Sequence, residues 1–150
     1  MSEDKNEIIA AFTKEIIKVN IAFRQYIQAK LRHNNIDLTF EMLQVLGCLW
    51  TTDGVNQQEL ANMTVKDKAS MTYLIDNLSK RNLVYRQEND NDRRNKMIYL
   101  TEEGKQLKEL IEPWLHEMHA FAGCDMPAEL IADCMKVLTR FRENLKQETE

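Results

Sequence analysis

Between Asp4 and His33 the apolar residues Ile9, Phe12, Ile16, Val19, Phe23 and Tyr26 recur at steps of three and four. That period predicts one long amphipathic helix. Ile8, Ile17, Ile21 and Ile27 widen its stripe beyond what packing on one neighbour needs, and Asn34-Asn35 break it. Thr39 suits the N-cap of a second helix, Phe40 to about Leu49, with Met42, Leu43, Val45, Leu46 and Leu49 on its apolar side. Asp53-Gly54 reads as a turn, and Asn56 as the cap of a short helix from Gln57 to Met63. Asp67 caps a further helix to about Arg81, which buries Met71, Leu74, Ile75 and Leu78. Asn82 then suits the left-handed position just past its end.

There the period changes to two. Leu83–Glu88 and Lys96–Leu100 read as strands around a polar loop, Asn89–Asn95. Thr101 caps a helix opening with Glu102-Glu103, whose acids favour the positive end of the helix dipole. It carries Leu107, Leu110, Ile111, Trp114, Leu115, Met118 and Phe121, with Pro113 predicting a kink near Glu109. Gly123 ends it. Pro127 opens a last helix, where Ile131, Cys134, Leu138, Phe141 and Leu145 step by three and four.

Two short helices, a tight turn and a hairpin make a winged helix-turn-helix. The expected fold is mainly α, with a small two- or three-stranded β wing between long N- and C-terminal helices. Residues 34–100 form the winged lobe, and 4–33 with 102–148 the flanking helical region. The apolar surface of the flanking helices exceeds what so small a domain covers, which argues for a second subunit.

The chain has 150 residues, enough for one domain with a real core. Four Gly and two Pro leave room for long helices, and 29% charged residues fit a soluble globular protein. No apolar run approaches the roughly 18 residues of a membrane span. The start, MSEDKNEIIAAF, lacks the basic and apolar regions of a signal peptide, so a cytoplasmic location is expected. Cys48, Cys124 and Cys134 form no CxxC pair and read as buried small hydrophobes. His116-x-x-His119, with Cys124 and Asp125 nearby, comes from one short segment and reads as surface histidines, so no metal site is expected.

Net charge is −4, but its distribution is uneven. Between Lys66 and Lys96 stand eight cations and five acids, a local +3 that leaves −7 elsewhere. Local positive charge attracts phosphate; a solvated surface with scattered charge fits the same count. The second helix of the motif adds Lys66, Lys68, Ala69, Ser70, Thr72 and Tyr73 on the face away from its apolar side. Small and hydroxylic residues let a helix approach base edges, although Ser70 and Thr72 also suit an ordinary surface. At the hairpin tip, DNDRRNK places Arg93 and Arg94 where an arginine can enter a narrow minor groove. Asp92 can hold the Arg94 guanidinium by a paired hydrogen bond.

Leu60–Val84, LANMTVKDKASMTYLIDNLSKRNLV, followed by DRRNKMIYLTEEG, resembles the MarR family of bacterial regulators (multiple antibiotic resistance regulators). The matching features are the Leu-Ala start, Thr72-x-Leu74-Ile75-Asp76-x-Leu78, Asp92-x-Arg94 and Leu100-Thr101-x-x-Gly104. The flanking helices fit by length and order, so the resemblance covers nearly the whole chain. Asn82 stands where glycine is usual, Asn89 and Asn91 where an acid and an arginine are common, and Lys66 where the turn is usually apolar.

The resemblance implies a homodimer, joined through the first and last two helices, that binds pseudo-palindromic double-stranded DNA as a repressor. It implies Lys68, Ser70, Thr72 and Tyr73 in the major groove and Arg94 in the minor groove, with Lys66, Ala69, Arg93 and Lys96 completing the DNA-binding set and Asp92 orienting the wing. A small-molecule effector is often bound between the two regions. Tyr26, His33, Met42, Leu46 and Trp114 are candidates for such a pocket, and core packing explains each of them equally. No cofactor and no membrane partner are expected. With no Gly-rich phosphate loop, nucleophile–base pair or carboxylate dyad, the chain does not read as an enzyme. The alternative is a winged-helix module that binds protein or RNA.

Overall fold

The first apolar repeat becomes α1, Glu3–His33. The computed structural model describes residues 3–64 and 66–149; the side chains of Glu3, Asn89 and Arg93 lie outside the described residues. After α1 come α2 (Phe40–Thr51), β1 (Val55–Asn56), α3 (Gln57–Thr64), α4 (Lys68–Lys80), β2 (Val84–Asn89), β3 (Asp92–Leu100), α5 (Glu102–Ala122) and α6 (Ala128–Gln147). The chain divides into two compact units, Met1–Leu115 and His116–Glu150.

Helix ends in the first unit follow local hydrogen-bond chemistry. Thr39 accepts the Met42 N–H at 3.2 Å, Asp67 accepts that of Ser70 at 2.7 Å, and Thr101 accepts that of Gly104 at 3.0 Å. At the other ends, Asn35 (φ 55°) and Asn82 (φ 56°) take the left-handed conformation. Each is followed by a residue whose N–H returns to the helix: Ile36 to the Leu31 carbonyl, Leu83 to that of Leu78. Asn tolerates this conformation second only to Gly, so α1 and α4 stop by the same device.

The core of this unit gathers Ile27 and Leu31 of α1, Val45, Leu46 and Leu49 of α2, Leu60 of α3, Met71, Ile75 and Leu78 of α4, and Ile98 of β3. A three-stranded antiparallel sheet, ordered β1-β3-β2, flanks the helices. β1 is a strand the sequence pattern does not announce: Val55 pairs with Ile98 and Asn56 with Met97. Its approach is tight. Gly54 has φ 70°, and a Cβ there would stand 2.6 Å from the Tyr99 ring. Asp53 Oδ1 accepts the N–H groups of both Gly54 and Leu100, tying this turn to the end of β3.

The wing differs from expectation at its tip. The predicted seven-residue loop, Asn89–Asn95, is a two-residue turn, Asp90-Asn91, because the strands continue to Asn89 and from Asp92. The register jumps from Glu88↔Lys96 to Asn89↔Asp92. That leaves residues 93–95 outside the pairing, as a bulge on β3. A bulge bends its strand and re-aims side chains, so polar residues that look like a loop are accommodated within a strand.

α5 starts against the turn between α4 and β2. A Cβ on Gly104 would lie 2.1 Å from the Leu83 carbonyl oxygen, so only glycine fits, and the Gly104 carbonyl accepts the Trp50 indole N–H at 2.9 Å. α5 continues through Pro113, which offers no N–H to the Glu109 carbonyl.

In the second unit Gly123 N–H donates to the His119 carbonyl, and α6 follows a short turn. None of α6 is buried. Leu130, Ile131, Met135, Val137, Leu138 and Leu145 are between 39% and 66% exposed. Cys124 and Cys134 are likewise exposed, and Cys48 is half-buried. This corrects the expectation of three buried cysteines: Cys134 belongs to the α6 apolar stripe, whose residues are themselves exposed. On α1 the predicted stripe also stays open at Ile16 and Val19, while Ile27 and Leu31 are buried. Among the described residues no helix is long and apolar enough to cross a membrane.

Candidate nucleic-acid interface

α3 and α4 meet the wing around a cleft of about 450 Å³. Asn56, Gln57, Gln58, Lys68 and Thr72 line it from the helix-turn-helix, and Arg86, Asp92, Arg94, Asn95 and Lys96 from the wing. The apolar face of α4 creates this placement. Met71, Leu74, Ile75 and Leu78 turn inward, so the helix's polar residues face outward. Lys68, Thr72, Asp92, Arg94 and Lys96, all expected at a DNA surface, thus come together.

The remaining α4 residues of that set, Ala69, Ser70 and Tyr73, are exposed, Tyr73 to 66%. The Ser70 N–H and hydroxyl both bond the Asp67 carboxylate, which with smaller contributions from Ala69 N–H and the Lys66 charge holds its pKa below the ordinary value. Lys66 is half-buried ahead of α4, its N–H donating to the Ala61 carbonyl. The Arg93 side chain lies outside the described residues.

Two expected details take a different form. Asp92 does meet Arg94, but through its backbone: Asp92 Oδ1 accepts the Arg94 N–H at 3.0 Å. The bulge explains this, since an amide outside the strand ladder needs another acceptor. Thr72, expected to read a base, is half-buried, and its hydroxyl is engaged: it donates to the Lys68 carbonyl and accepts from Gln57 Nε2, both at 3.0 Å.

Sequence reasoning missed Gln57 and Arg86. Arg86 Nη1 pairs with Asp76 Oδ1 at 2.6 Å, and its Nε donates to Gln57 Oε1 at 3.2 Å. A signal was present. The period of two puts Arg86 on the same strand face as buried Val84, where a guanidinium needs partners. Asn95 Oδ1 is buried without a hydrogen-bond partner.

Elsewhere in this unit, cations link neighbouring elements. Arg81 donates to both the carbonyl and the carboxylate of Asp37 at 2.8 Å, tying the end of α4 to the α1–α2 connection. Arg24 of α1 bonds Glu41 of α2 and lies 4.9 Å from the centre of the Phe40 ring. Burial pushes the Glu41 pKa up, but the hydrogen bonds and charge of Arg24, with smaller help from its own backbone and Lys66, outweigh that and leave it below the ordinary value. Burial raises the pKa of the Cys48 thiol.

Of the proposed pocket residues, Met42 and Leu46 are core, Tyr26 and Trp114 are half-buried, and His33 is exposed. Among the described residues no group of three or more His, Cys, Asp or Glu side chains is placed to hold a metal ion.

The MarR family model matches residues 38–96. No curated protein matches the sequence. Among solved structures, a MarR transcriptional regulator from Methanosarcina mazei Go1 is 23% identical, with 92% of this chain and 98% of that chain covered at a TM-score of 0.80. S. aureus MepR in a DNA-binding conformation is 25% identical, with coverages of 89% and 98% and a TM-score of 0.78. Reduced AbfR bound to DNA is 19% identical and covers 100% of both chains at a TM-score of 0.78. Residues 38–96 match the MarR family model, and nearly the whole chain shares the fold of a solved MarR transcriptional regulator.

Proposed function

We propose that this protein is a homodimeric regulator that binds a pseudo-palindromic operator in double-stranded DNA and represses transcription. The observation that carries the reading is the cleft in which Lys68 of α4 and Arg94 and Lys96 of the wing converge. A helix face and a strand arm that share one basic cleft suit a duplex, with the helix toward the major groove and the arm along the backbone. In this reading the exposed Ser70 and Tyr73 reach base edges, Lys66, Ala69 and Arg93 follow the phosphates, and Arg94 enters the minor groove. The solved DNA complex of AbfR, with the same fold, supports the assignment.

Residues 34–100 serve as the DNA-reading lobe, and 4–33 with 102–148 join the two subunits. The uncovered apolar residues of α1 and α6 support that division. A small-molecule effector would release DNA only by binding more tightly when the two lobes are wrongly spaced for the operator; Tyr26, His33 and Trp114 are the first positions to probe for it.

The test is a salt titration of binding to random duplex. A DNA reader that neutralises several phosphates loses affinity steeply as salt rises. Failure to bind duplex at low salt would favour a protein-binding module instead.

A further inference from the structure

Four polar side chains, three of which line the cleft, form a chain that closes into a ring through one turn of α4. Asp76 accepts from Arg86, Arg86 donates to Gln57 Oε1, Gln57 Nε2 donates to the Thr72 hydroxyl, and that hydroxyl donates to the Lys68 carbonyl. Thr72 and Asp76 stand one turn apart on α4. The ring therefore leaves α4, passes through β2 and α3, and returns to the same helix. Arg86 Nη2 adds a longer contact of 3.5 Å to the Thr72 carbonyl.

Each member's chemistry fits a brace better than a reader. Thr72 has one hydroxyl proton and has donated it within its own helix. Gln57 uses its carbonyl and its amide in opposite directions, so it must hold one orientation to serve both neighbours. Arg86 supplies a planar fork whose donors point at fixed angles, which sets direction as well as distance. The Asp76 carboxylate is half-exposed, so its pair with Arg86 contributes little to stability. A connected network instead restricts how α4 rolls against the wing. Base readout tolerates errors of only about half an ångström, so a small roll of α4 would misplace Lys68 and Tyr73 relative to Arg94.

We propose that Gln57 and Arg86 are positioning residues, which set the register of α4 against the wing and so govern sequence discrimination without touching a base. This rests on the DNA-binding reading above.

The test uses the full chain and an operator recovered by selection from random duplex. It measures the ratio of operator to random-duplex affinity at one salt concentration. Gln57→Met should lower this ratio about tenfold, the scale of one lost groove contact. Thr72→Val should do the same, and Thr72→Ser, which keeps the hydroxyl, should restore the parent ratio. The double variant Gln57→Met/Thr72→Val should be no worse than either single variant, because one ring can be broken only once. Arg86→Met should lower operator affinity more than random-duplex affinity; an equal loss on both would make Arg86 a phosphate contact and overturn its positioning role. A thermal unfolding scan confirms folding, and if Gln57→Met fails it, the Thr72→Val and Thr72→Ser pair decides. A parent chain that selects an operator, with Gln57→Met and Thr72→Val keeping the full ratio, overturns this inference alone. A parent chain that prefers no sequence overturns the DNA reading and this inference with it.

Discussion

Asp92 Oδ1 accepts the backbone N–H of Arg94 at 3.0 Å, inside a bulge where Arg94 has no partner on β2. The carboxylate thus fixes the chain that presents the arginine. Arg94→Ala is expected to weaken operator binding by about 1–3 kcal/mol, the usual scale for a groove contact. Asp92→Ala should cost less, and the double variant little more than Arg94→Ala alone. Asp92→Asn keeps an acceptor for the amide and should bind like the parent. Competition between operator and random duplex reads all four; an Asp92→Asn loss equal to that of Asp92→Ala would show that the carboxylate charge, rather than the backbone contact, matters.

Local rules made much of this legible in the sequence. The caps at Thr39, Asp67 and Thr101 bond within three residues, and the left-handed Asn82 follows from its place after an apolar repeat. β1 was not legible, because two residues carry no period and Asn56 had already been assigned to cap α3; it does both, accepting the Gln58 N–H. The short wing turn was hidden because a bulge of polar residues has the composition of a loop. The ring through Gln57 and Arg86 joins positions 29 residues apart, and no spacing rule links them. The stripes on α1 and α6 are helical as read, and Ile16, Val19, Leu138 and Leu145 within them are exposed.

Gly104→Ala is expected to destabilise the protein by about 3 kcal/mol or more, as overpacking against backbone does. The added Cβ would meet the Leu83 carbonyl at 2.1 Å, and backbone cannot step aside as a side chain can. Urea unfolding measures it; a loss below about 1 kcal/mol would show that the start of α5 shifts freely.

Glu41 and Asp67 both have folded pKa values below their ordinary ones. A carboxyl with a depressed folded pKa stabilises the fold fully above its unfolded value and loses that contribution as pH falls through the folded value. Stability should therefore be flat from pH 7 down to about 5 on this account and fall below that, through the carboxylate range. Urea midpoints across this range provide the check. Glu41→Gln should flatten part of the fall, and an unchanged profile would contradict the role of the Arg24–Glu41 pair.

The exposed Ile131, Leu138 and Leu145 on α6 predict a dimer at micromolar concentration. Sedimentation should give twice the chain mass, and Leu138→Glu should shift the equilibrium toward monomer. A parent chain that sediments as a monomer would leave those residues without a partner and contradict the prediction.

The central claim, a two-fold reader of duplex DNA, is tested most directly by selecting bound sequences from a random duplex pool and footprinting the product. The account predicts an inverted repeat, with half-sites about 10 bp apart centre to centre, protected symmetrically. A single asymmetric half-site, or a pool with no enriched sequence, would contradict it.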